Sequence, residues 1–164
     1  MANHTVYLSL GSNLGDREAN LRAAIGTLPD AGVRVVKVSS LYETEPVDYL
    51  HQPWFLNCAA EAETSLAPLD LLHALRGIEA QLGSKKEFAK GPRLLDMDIL
   101  LYGDETIESP ELQIPHSRML QRKFVLAPLA EIAPALKHPS WTADAADLFE
   151  SSTDASRVKR FRRL

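Results

Sequence analysis

The sequence has one cysteine in 164 residues and no long apolar run, and each shortage excludes a class of protein. A single thiol, Cys58, cannot form an internal disulfide, which is typical of the reducing cytoplasm. No run approaches the roughly 20 apolar residues that span a membrane, and the N-terminus does not resemble a signal peptide. We therefore expect a cytoplasmic protein with no membrane partner, in which Cys58 is a small core residue.

Positive charge is also in short supply. The chain has 18 Lys and Arg against 22 Asp and Glu, a formal net charge of −4. A general nucleic-acid binder needs a basic face, so this balance argues against a nucleic-acid partner. The basic residues at the C-terminus, 157–164, are predicted to form a solvated, mobile tail rather than a nucleic-acid patch.

Several well-known site motifs are missing from the chain. It contains neither Gly-x-x-x-x-Gly-Lys-Ser/Thr nor Gly-x-Gly-x-x-Gly, the glycine-rich loops that cradle nucleotide phosphates. There is no His and Cys cluster with zinc spacing and no Gly-x-Ser-x-Gly nucleophile elbow. Any nucleotide must then be held by a metal ion and by side-chain cations.

The hydrophobic pattern predicts one domain over residues 1–164, in the order strand, helix, strand, strand, helix, strand. The predicted strands are 5–10, 33–42, 55–63 and the apolar part of 91–103. The first helix is predicted from Asp16 to about residue 28, and the second over 67–82. The second helix should bury Leu69, Leu72, Leu75 and Ile78. This order is that of an α+β, ferredoxin-like split βαβ (βαββαβ) sheet, with both helices on one face.

Irregular and helical segments complete the prediction. Residues 43–53 and 84–92 are long polar loops, a kind of segment that often binds ligands. Further helices are expected over 119–132, kinked or restarted at Pro128, and from a Thr142 cap to about residue 149. These C-terminal helices should pack on the sheet.

Asp96 and Asp98 interrupt the apolar stretch 91–103. Side chains alternate along a strand, so the two carboxylates face the same way, about 7 Å apart. An edge strand with one wet face is the simpler explanation, but Leu100 shares that face if the strand is regular. Two like charges so placed favour a cation between them, and their oxygens suit Mg²⁺ or Mn²⁺. We expect a metal and phosphate site here.

Cations flank this stretch on both sides and are candidates for holding phosphate. Arg93 and Arg122 are favoured because each adjoins an apolar segment and a guanidinium can grip phosphate with two hydrogen bonds. The other candidates are Lys85, Lys86, Lys90, His116, Arg118 and Lys123.

Residues 91–99, Gly-Pro-Arg-Leu-Leu-Asp-Met-Asp-Ile, closely resemble the signature of the 6-hydroxymethyl-7,8-dihydropterin pyrophosphokinases. The resemblance continues through 10–14, 40–46, 52–57, 114–116 and 122–134, in order. It implies a ferredoxin-like fold, a monomer, and transfer of pyrophosphate from ATP to the pterin hydroxymethyl group in folate synthesis.

The resemblance also implies roles for individual residues. Asp96 and Asp98 would bind two Mg²⁺ ions that bridge the ATP phosphates and, with Arg93, would form the catalytic set. ATP would be bound by Lys85, Lys86, Arg93, Ile99, His116 and Arg122. The pterin would be bound by Thr44, Pro46, Val47, Phe55, Asn57, Asp96 and Phe124, with its ring between the two phenylalanines and its polar edge at Asn57.

Two other interpretations of the sequence assign the chain a function other than catalysis. A ferredoxin-like module could bind RNA on its sheet without chemistry, but such modules display aromatic residues where this strand carries Asp96 and Asp98. A pterin-binding relative could also have lost transfer activity. The intact Arg93 and His116 argue against that second reading.

Overall fold

An antiparallel sheet carries the fold, and β1, His4–Ser12, is one of its inner strands. The computed structural model describes residues 3–46, 51–83 and 93–163. β1 pairs with β4, Phe55–Thr64, on one side and with β5, Asp96–Tyr102, on the other. Among the described residues, no helix is long and apolar enough to cross a membrane.

The other edge of β4 pairs with two short strands, β2 (Val33–Val38) and β3 (Leu41–Thr44). The prediction of one strand over 33–42 is therefore wrong. The break falls at Ser39, whose backbone N–H donates to the Ala59 carbonyl at 2.9 Å. The Ala59 N–H in turn donates to Ser39 Oγ at 2.9 Å, so a side chain replaces the usual backbone acceptor.

Two helices cover one face of the sheet. Helix α1, Arg17–Thr27, begins as predicted at Asp16, whose side chain accepts from the Ala19 N–H at 3.1 Å. Helix α2 is Pro68–Gln81. Its predicted apolar face is wrong at Leu69, which is 41% exposed, and the buried residue of that turn is Leu71.

One apolar cluster joins these two helices to the sheet. Alternate residues of each strand point toward α1 and α2, which is the period-two pattern of a half-buried strand. Cys58 is among them and is fully buried, as predicted. The strand members include Val6, Leu8, Leu10, Cys58, Ala60, Ala62, Met97, Ile99 and Tyr102.

A β-bulge in β5 changes which residues face each side. Tyr7 pairs with Leu101 but Leu8 pairs with Ile99, so Leu100 is an extra residue on β5. Leu100 and Leu101 both join a second apolar cluster, on the opposite side of the sheet from Ile99. Because the strand is not regular, its two faces could not be assigned beyond Leu100 by counting alternate residues.

The second face is covered by α3, Lys123–Ile132, and α4, Ala145–Glu150. The predicted helix 119–132 is interrupted, because a 3₁₀ turn, Met119–Gln121, ends at Arg122 and α3 begins after it. Pro128 lies inside α3 and does not restart it. The cap of α4 is Asp144 rather than Thr142, since the Asp144 side chain accepts from the Asp147 N–H at 3.0 Å. β6, Ile107–Glu108, and β7, Gln113–Ile114, form a separate two-stranded sheet.

The basic C-terminus is not a loosely packed tail over its described length. Residues Val158–Arg162 form β8, which pairs antiparallel with β3 at the edge of the sheet. Most of the β8 side chains are exposed, as expected for solvated charges, while the mobility of this terminus stays a prediction. Pairing supplies the order that the side-chain composition did not indicate.

Glu131 links α3 to β3 and to the residue before it through a set of hydrogen bonds. Its carboxylate accepts from the Ser40 N–H at 3.1 Å, from Ser40 Oγ at 3.0 Å and from the Tyr42 hydroxyl at 2.7 Å. Burial raises the pKa of Glu131, but these bonds outweigh burial and the net pKa is lowered. A lowered folded-state pKa stabilises the fold above the unfolded-state value, and that contribution is lost as the pH falls through the folded-state pKa.

We expect Glu131→Gln to lower the free energy of unfolding by about 1–3 kcal/mol at pH 7, because neutral partners replace charge-assisted bonds. The difference from the wild type should shrink as the pH falls through the lowered pKa of Glu131, because the carboxylate is then protonated in the folded protein. Urea unfolding at several pH values measures both effects. Glu150→Gln, at an exposed site, is the control; an equal loss in both variants, or a loss independent of pH, would contradict the role given to Glu131.

Candidate active site

The floor of the candidate site is three residues in a row across the sheet. Gly11 of β1 pairs with Asn57 of β4 on one side and with Asp96 of β5 on the other. Residues that pair across neighbouring strands share a face, so both side chains leave the sheet on the same side, about 10 Å apart at ~4.8 Å per strand. That face is opposite to α1 and α2.

Asn57 is held with a fixed orientation. It is 4% exposed, and its side-chain Nδ2 donates to Thr44 Oγ1 on the neighbouring strand β3. Its Oδ1 lies over Gly11, where an added Cβ would come within 2.5 Å of it. Glycine at position 11 therefore makes the room that the Asn57 amide occupies.

The pocket above this floor has a volume of about 170 Å³. Phe55 and Phe124 are on its walls, and a flat ring stacks well on such side chains. Among the described residues, those that line the pocket are Ser9, Gly11, Thr44, Glu45, Pro46, Gln52, Phe55, Asn57, Arg93, Asp96, Asp98, Arg122 and Phe124.

The two carboxylates have different neighbours. Asp96 accepts a hydrogen bond from Arg93 Nη1 at 3.0 Å. Asp98 lies opposite Ser9 of β1, 3.8 Å from Arg76 Nη2 and 4.0 Å from His116 Nε2. Burial raises the pKa of Asp98, and the charge of Asp96 raises it further against the opposing cations. A carboxylate pair in this condition is stabilised by added positive charge.

His116 is placed to remain neutral. Burial lowers its pKa, and Asp98 only partly opposes that effect. The Arg118 backbone N–H donates to His116 Nδ1 at 3.2 Å, so the neutral ring carries its proton on Nε2, the atom that faces Asp98. The ring therefore presents a hydrogen-bond donor on the side of the carboxylate pair.

Asn13 is a positioning residue that the sequence alone did not reveal. It is 1% exposed, and its Oδ1 accepts from the Arg93 N–H at 2.7 Å. Its Nδ2 donates to Gln52 Oε1 at 2.9 Å and to the Pro53 carbonyl at 3.1 Å. One buried amide thus joins the end of β1 to the segment before Phe55 and to the segment that carries Arg93. The turn-like sequence 11–16 gave no signal of partners 40 and 80 residues away.

Arg76 and Glu79 of α2 also reach the carboxylate strand and were missed. The Met97 N–H donates to Glu79 Oε2 at 2.7 Å, and Arg76 Nη1 donates to the Met97 carbonyl at 2.7 Å. These side chains satisfy backbone groups that an edge strand would otherwise leave unpaired. Arg76 also adds a positive charge close to Asp98.

Most of the predicted site residues that the structure describes converge on this pocket. Its lining includes Thr44, Pro46, Phe55, Asn57, Arg93, Asp96, Asp98, Arg122 and Phe124. Arg122 lies with its guanidinium 5.5 Å from the Phe124 ring centroid, and His116 adjoins Asp98. Val47, Lys85 and Lys86 lie outside the described residues.

Ile99 lies away from the pocket lining. Its side chain is 3% exposed in the core beneath α1 and α2, on the opposite face from Asp98. Strand alternation puts it there, because Ile99 directly follows Asp98 and precedes the bulge at Leu100. The role of Ile99 toward ATP stays a prediction.

The carboxylate pair fits Mg²⁺ in its donor chemistry. Asp96 and Asp98 offer hard oxygen ligands on one face, which is what this ion prefers. Within ranges 3–46, 51–83 and 93–163, no group of three or more His, Cys, Asp or Glu side chains could hold a metal by itself. Mg²⁺ is commonly held by one or two carboxylates, with water and substrate phosphates as the other ligands.

The fold and the pocket together define a small-molecule site for a flat ring with a polar edge, beside carboxylates and cations that suit a metal-bound anion. The model of the 7,8-dihydro-6-hydroxymethylpterin-pyrophosphokinase family matches residues 7–134. The chain belongs to this family.

Similar proteins come from bacteria, fungi and a protozoan. The chain is 50% identical over 143 residues to the 2-amino-4-hydroxy-6-hydroxymethyldihydropteridine pyrophosphokinase of Bacillus subtilis, covering 87% of this chain and 86% of that one. It is 45% identical over 152 residues to the folic acid synthesis protein fol1 of Pneumocystis carinii, covering 93% of this chain but 20% of that one.

A solved structure of much lower sequence identity shares the fold. A crystal structure of Plasmodium falciparum HPPK-DHPS A437G has a TM-score of 0.74 at 16% identity, covering 91% of this chain and 45% of that one. At that identity the likeness concerns the fold: a mixed α/β arrangement with an antiparallel sheet and helices. The chain spans under half the length of that protein.

Proposed function

We propose that this chain transfers pyrophosphate from ATP to the hydroxymethyl group of 6-hydroxymethyl-7,8-dihydropterin, giving the pterin diphosphate and AMP, a step of folate biosynthesis. The main structural support is that Asn57 and Asp96 flank Gly11 on one face of the sheet. One pocket thus offers an amide for the ring and a carboxylate for the reacting group. Family membership over 7–134 supports the reaction.

The ring of the pterin lies between Phe55 and Phe124 in this proposal. A pterin has apolar faces and a rim of donors and acceptors, so it needs stacking side chains and an amide at its edge. Asn57 presents Oδ1 to accept from the rim, since its Nδ2 is already bonded to Thr44. Thr44 and Pro46 close the same end of the pocket.

The phosphates lie on the Asp96 side of the pocket. Arg93 and Arg122 supply positive charge there, and the neutral His116 supplies a donor on Nε2. Two Mg²⁺ ions held by Asp96 and Asp98 would neutralise charge on the phosphates and align them. The residues of the chain bind and orient the reactants and exclude water, which is most of what phosphoryl transfer asks of a protein.

The reaction forms one bond and breaks another. The hydroxymethyl oxygen bonds to the β-phosphorus of ATP, and the bond from that phosphorus to the oxygen bridging it to the α-phosphorus breaks. AMP leaves with that oxygen, and the hydroxyl proton is released. Stacking on Phe55 and Phe124 holds the hydroxymethyl group toward Asp96, in line with the leaving AMP.

Several broader features complete the proposal. The element order β1, α1, β2 and β3, β4, α2, β5 and the strand order β5-β1-β4-β3 support a ferredoxin-like split βαβ class. Residues 1–164 form a single pyrophosphokinase domain that works as a monomer in the cytoplasm. Sedimentation of the purified chain tests the monomer directly.

Incubation with ATP, Mg²⁺ and 6-hydroxymethyl-7,8-dihydropterin, with AMP and ADP resolved by chromatography, tests the function. We expect AMP to form only when both pterin and metal are present. Formation of ADP would mean transfer of one phosphoryl group and a wrong reaction. Tight pterin binding without any nucleotide change would point to the inactive relative.

A further inference from the structure

The C-terminal strand β8 lies outside the family match, which ends at residue 134, and yet it adjoins the pocket. It extends the sheet beyond β3, with Val158 opposite Thr44. Thr44 in turn accepts the hydrogen bond that orients Asn57. The outer edge of the pocket wall is therefore built on a segment whose role the family match does not cover.

Arg157, just before β8, contacts both described ends of the segment between β3 and β4. Its carbonyl accepts from the Glu45 N–H at 2.9 Å, and its own N–H donates to Glu45 Oε1 at 3.2 Å. Its guanidinium is 3.7 Å from Glu45 Oε2 and 5.1 Å from the centroid of the Trp54 ring. Glu45 itself lines the pocket, and Trp54 precedes the stacking residue Phe55.

A second arginine, Arg17 of α1, joins Trp54 to Glu43 of β3. Arg17 Nη1 donates to the Trp54 carbonyl at 2.9 Å, and Arg17 Nη2 lies 2.9 Å from Glu43 Oε2. Trp54 is thus fixed at its backbone by one arginine and at its ring by the other. Both contacts bear on the position of Phe55, the next residue along the chain.

Three arginines of this terminus form ion pairs with carboxylates elsewhere in the chain. Arg157 pairs with Glu45, Arg160 with Glu131 at 3.6 Å, and Arg162 with Glu18 at 3.2 Å. A single exposed ion pair contributes little. At Arg157 it acts together with backbone bonds and a cation–π contact, and only this pair ends on a residue that lines the pocket.

We propose that Arg157 is a positioning residue for the pterin pocket: it joins Glu45 to Trp54 and so sets the separation between Thr44 and Pro46 on one wall and Phe55 on another. The inference rests on the proposed function. A pocket wall that shifts away from the ring weakens pterin binding but leaves the carboxylate strand and the ATP side unchanged.

The test compares Arg157→Ala with Arg162→Ala in the full chain. Each change removes one exposed arginine with one ion pair, but Glu18, the partner of Arg162 on α1, is not a residue of the pocket lining. We expect Arg157→Ala to raise the KM for the dihydropterin about three- to tenfold, with kcat and the KM for ATP within about twofold of wild type. Arg162→Ala should match wild type. Arg157→Lys, which keeps the charge but not the planar group over Trp54, should recover part of the loss.

A titration separates binding from turnover. Calorimetry with the dihydropterin, Mg²⁺ and α,β-methylene-ATP, which cannot release AMP, should show the same weakening for Arg157→Ala. Equal pterin affinities in Arg157→Ala and Arg162→Ala, or a fall in kcat with no change in pterin KM, would overturn the role of Arg157. A wild type that neither binds nor converts the pterin would instead overturn the proposed function.

Discussion

Asp98→Asn is expected to lower kcat/KM by roughly 10³-fold or more, because it removes a charged oxygen ligand from the site at which phosphate charge must be neutralised. Asp96→Asn should have an effect of similar size, and it also removes the acceptor that holds Arg93. Steady-state kinetics at saturating Mg²⁺ measure the loss. Asp104→Asn, in the exposed turn after β5, is the matched control and should retain full activity.

Asp98→Asn should fold at least as well as the wild type in the absence of metal. The pKa of Asp98 is raised in the folded protein, so ionising this group at neutral pH costs folding free energy. Asparagine removes that cost, and the advantage should disappear as the pH falls and Asp98 becomes protonated. Thermal unfolding with EDTA at several pH values measures this. If Asp98→Asn is both inactive and clearly less stable than the wild type, Asp98 has a structural role rather than a role in metal binding.

Gly11→Ala should weaken pterin binding by about 10- to 100-fold while the protein still folds. The new Cβ would come within 2.5 Å of Asn57 Oδ1, the far end of a side chain that can rotate away. Rotation spares the backbone but removes the amide from the ring edge and leaves a polar group unpaired on binding, which costs about 1–3 kcal/mol. Titration with the dihydropterin measures the change.

Gly77→Ala is the matched control for that experiment. Gly77 lies in α2, and nothing is within 4 Å of its added Cβ. Alanine there should leave pterin affinity unchanged and stabilise the helix by up to about 1 kcal/mol. If Gly11→Ala bound the pterin as tightly as Gly77→Ala does, the Asn57 amide would not read the pterin edge.

The parts of the site that the sequence predicted are those with a local pattern. The interrupted apolar run at Asp96 and Asp98 indicated a shared face because strand alternation over two residues needs no tertiary information. The structure confirms that both line one pocket. Their roles toward metal and phosphate stay predictions.

The parts that the sequence did not predict depend on distant partners. The bulge at Leu100, which puts Leu100 and Leu101 on the same side of the sheet, depends on the register with β1. Asn13 looked like an ordinary turn residue because its partners, Pro53 and Arg93, are brought near only by the sheet. The strand β8 looked like a solvated tail because pairing with β3 orders its backbone while its side chains stay exposed.

Transfer of label from ATP labelled at the β-phosphate is the most direct measurement of the proposed reaction. With Mg²⁺ and 6-hydroxymethyl-7,8-dihydropterin, the pterin product should carry the β label, one equivalent for each AMP formed. Under the same conditions Asp98→Asn should transfer almost none. Label that stays in ADP, while the pterin gains only the γ-phosphate, would contradict pyrophosphoryl transfer by this pocket.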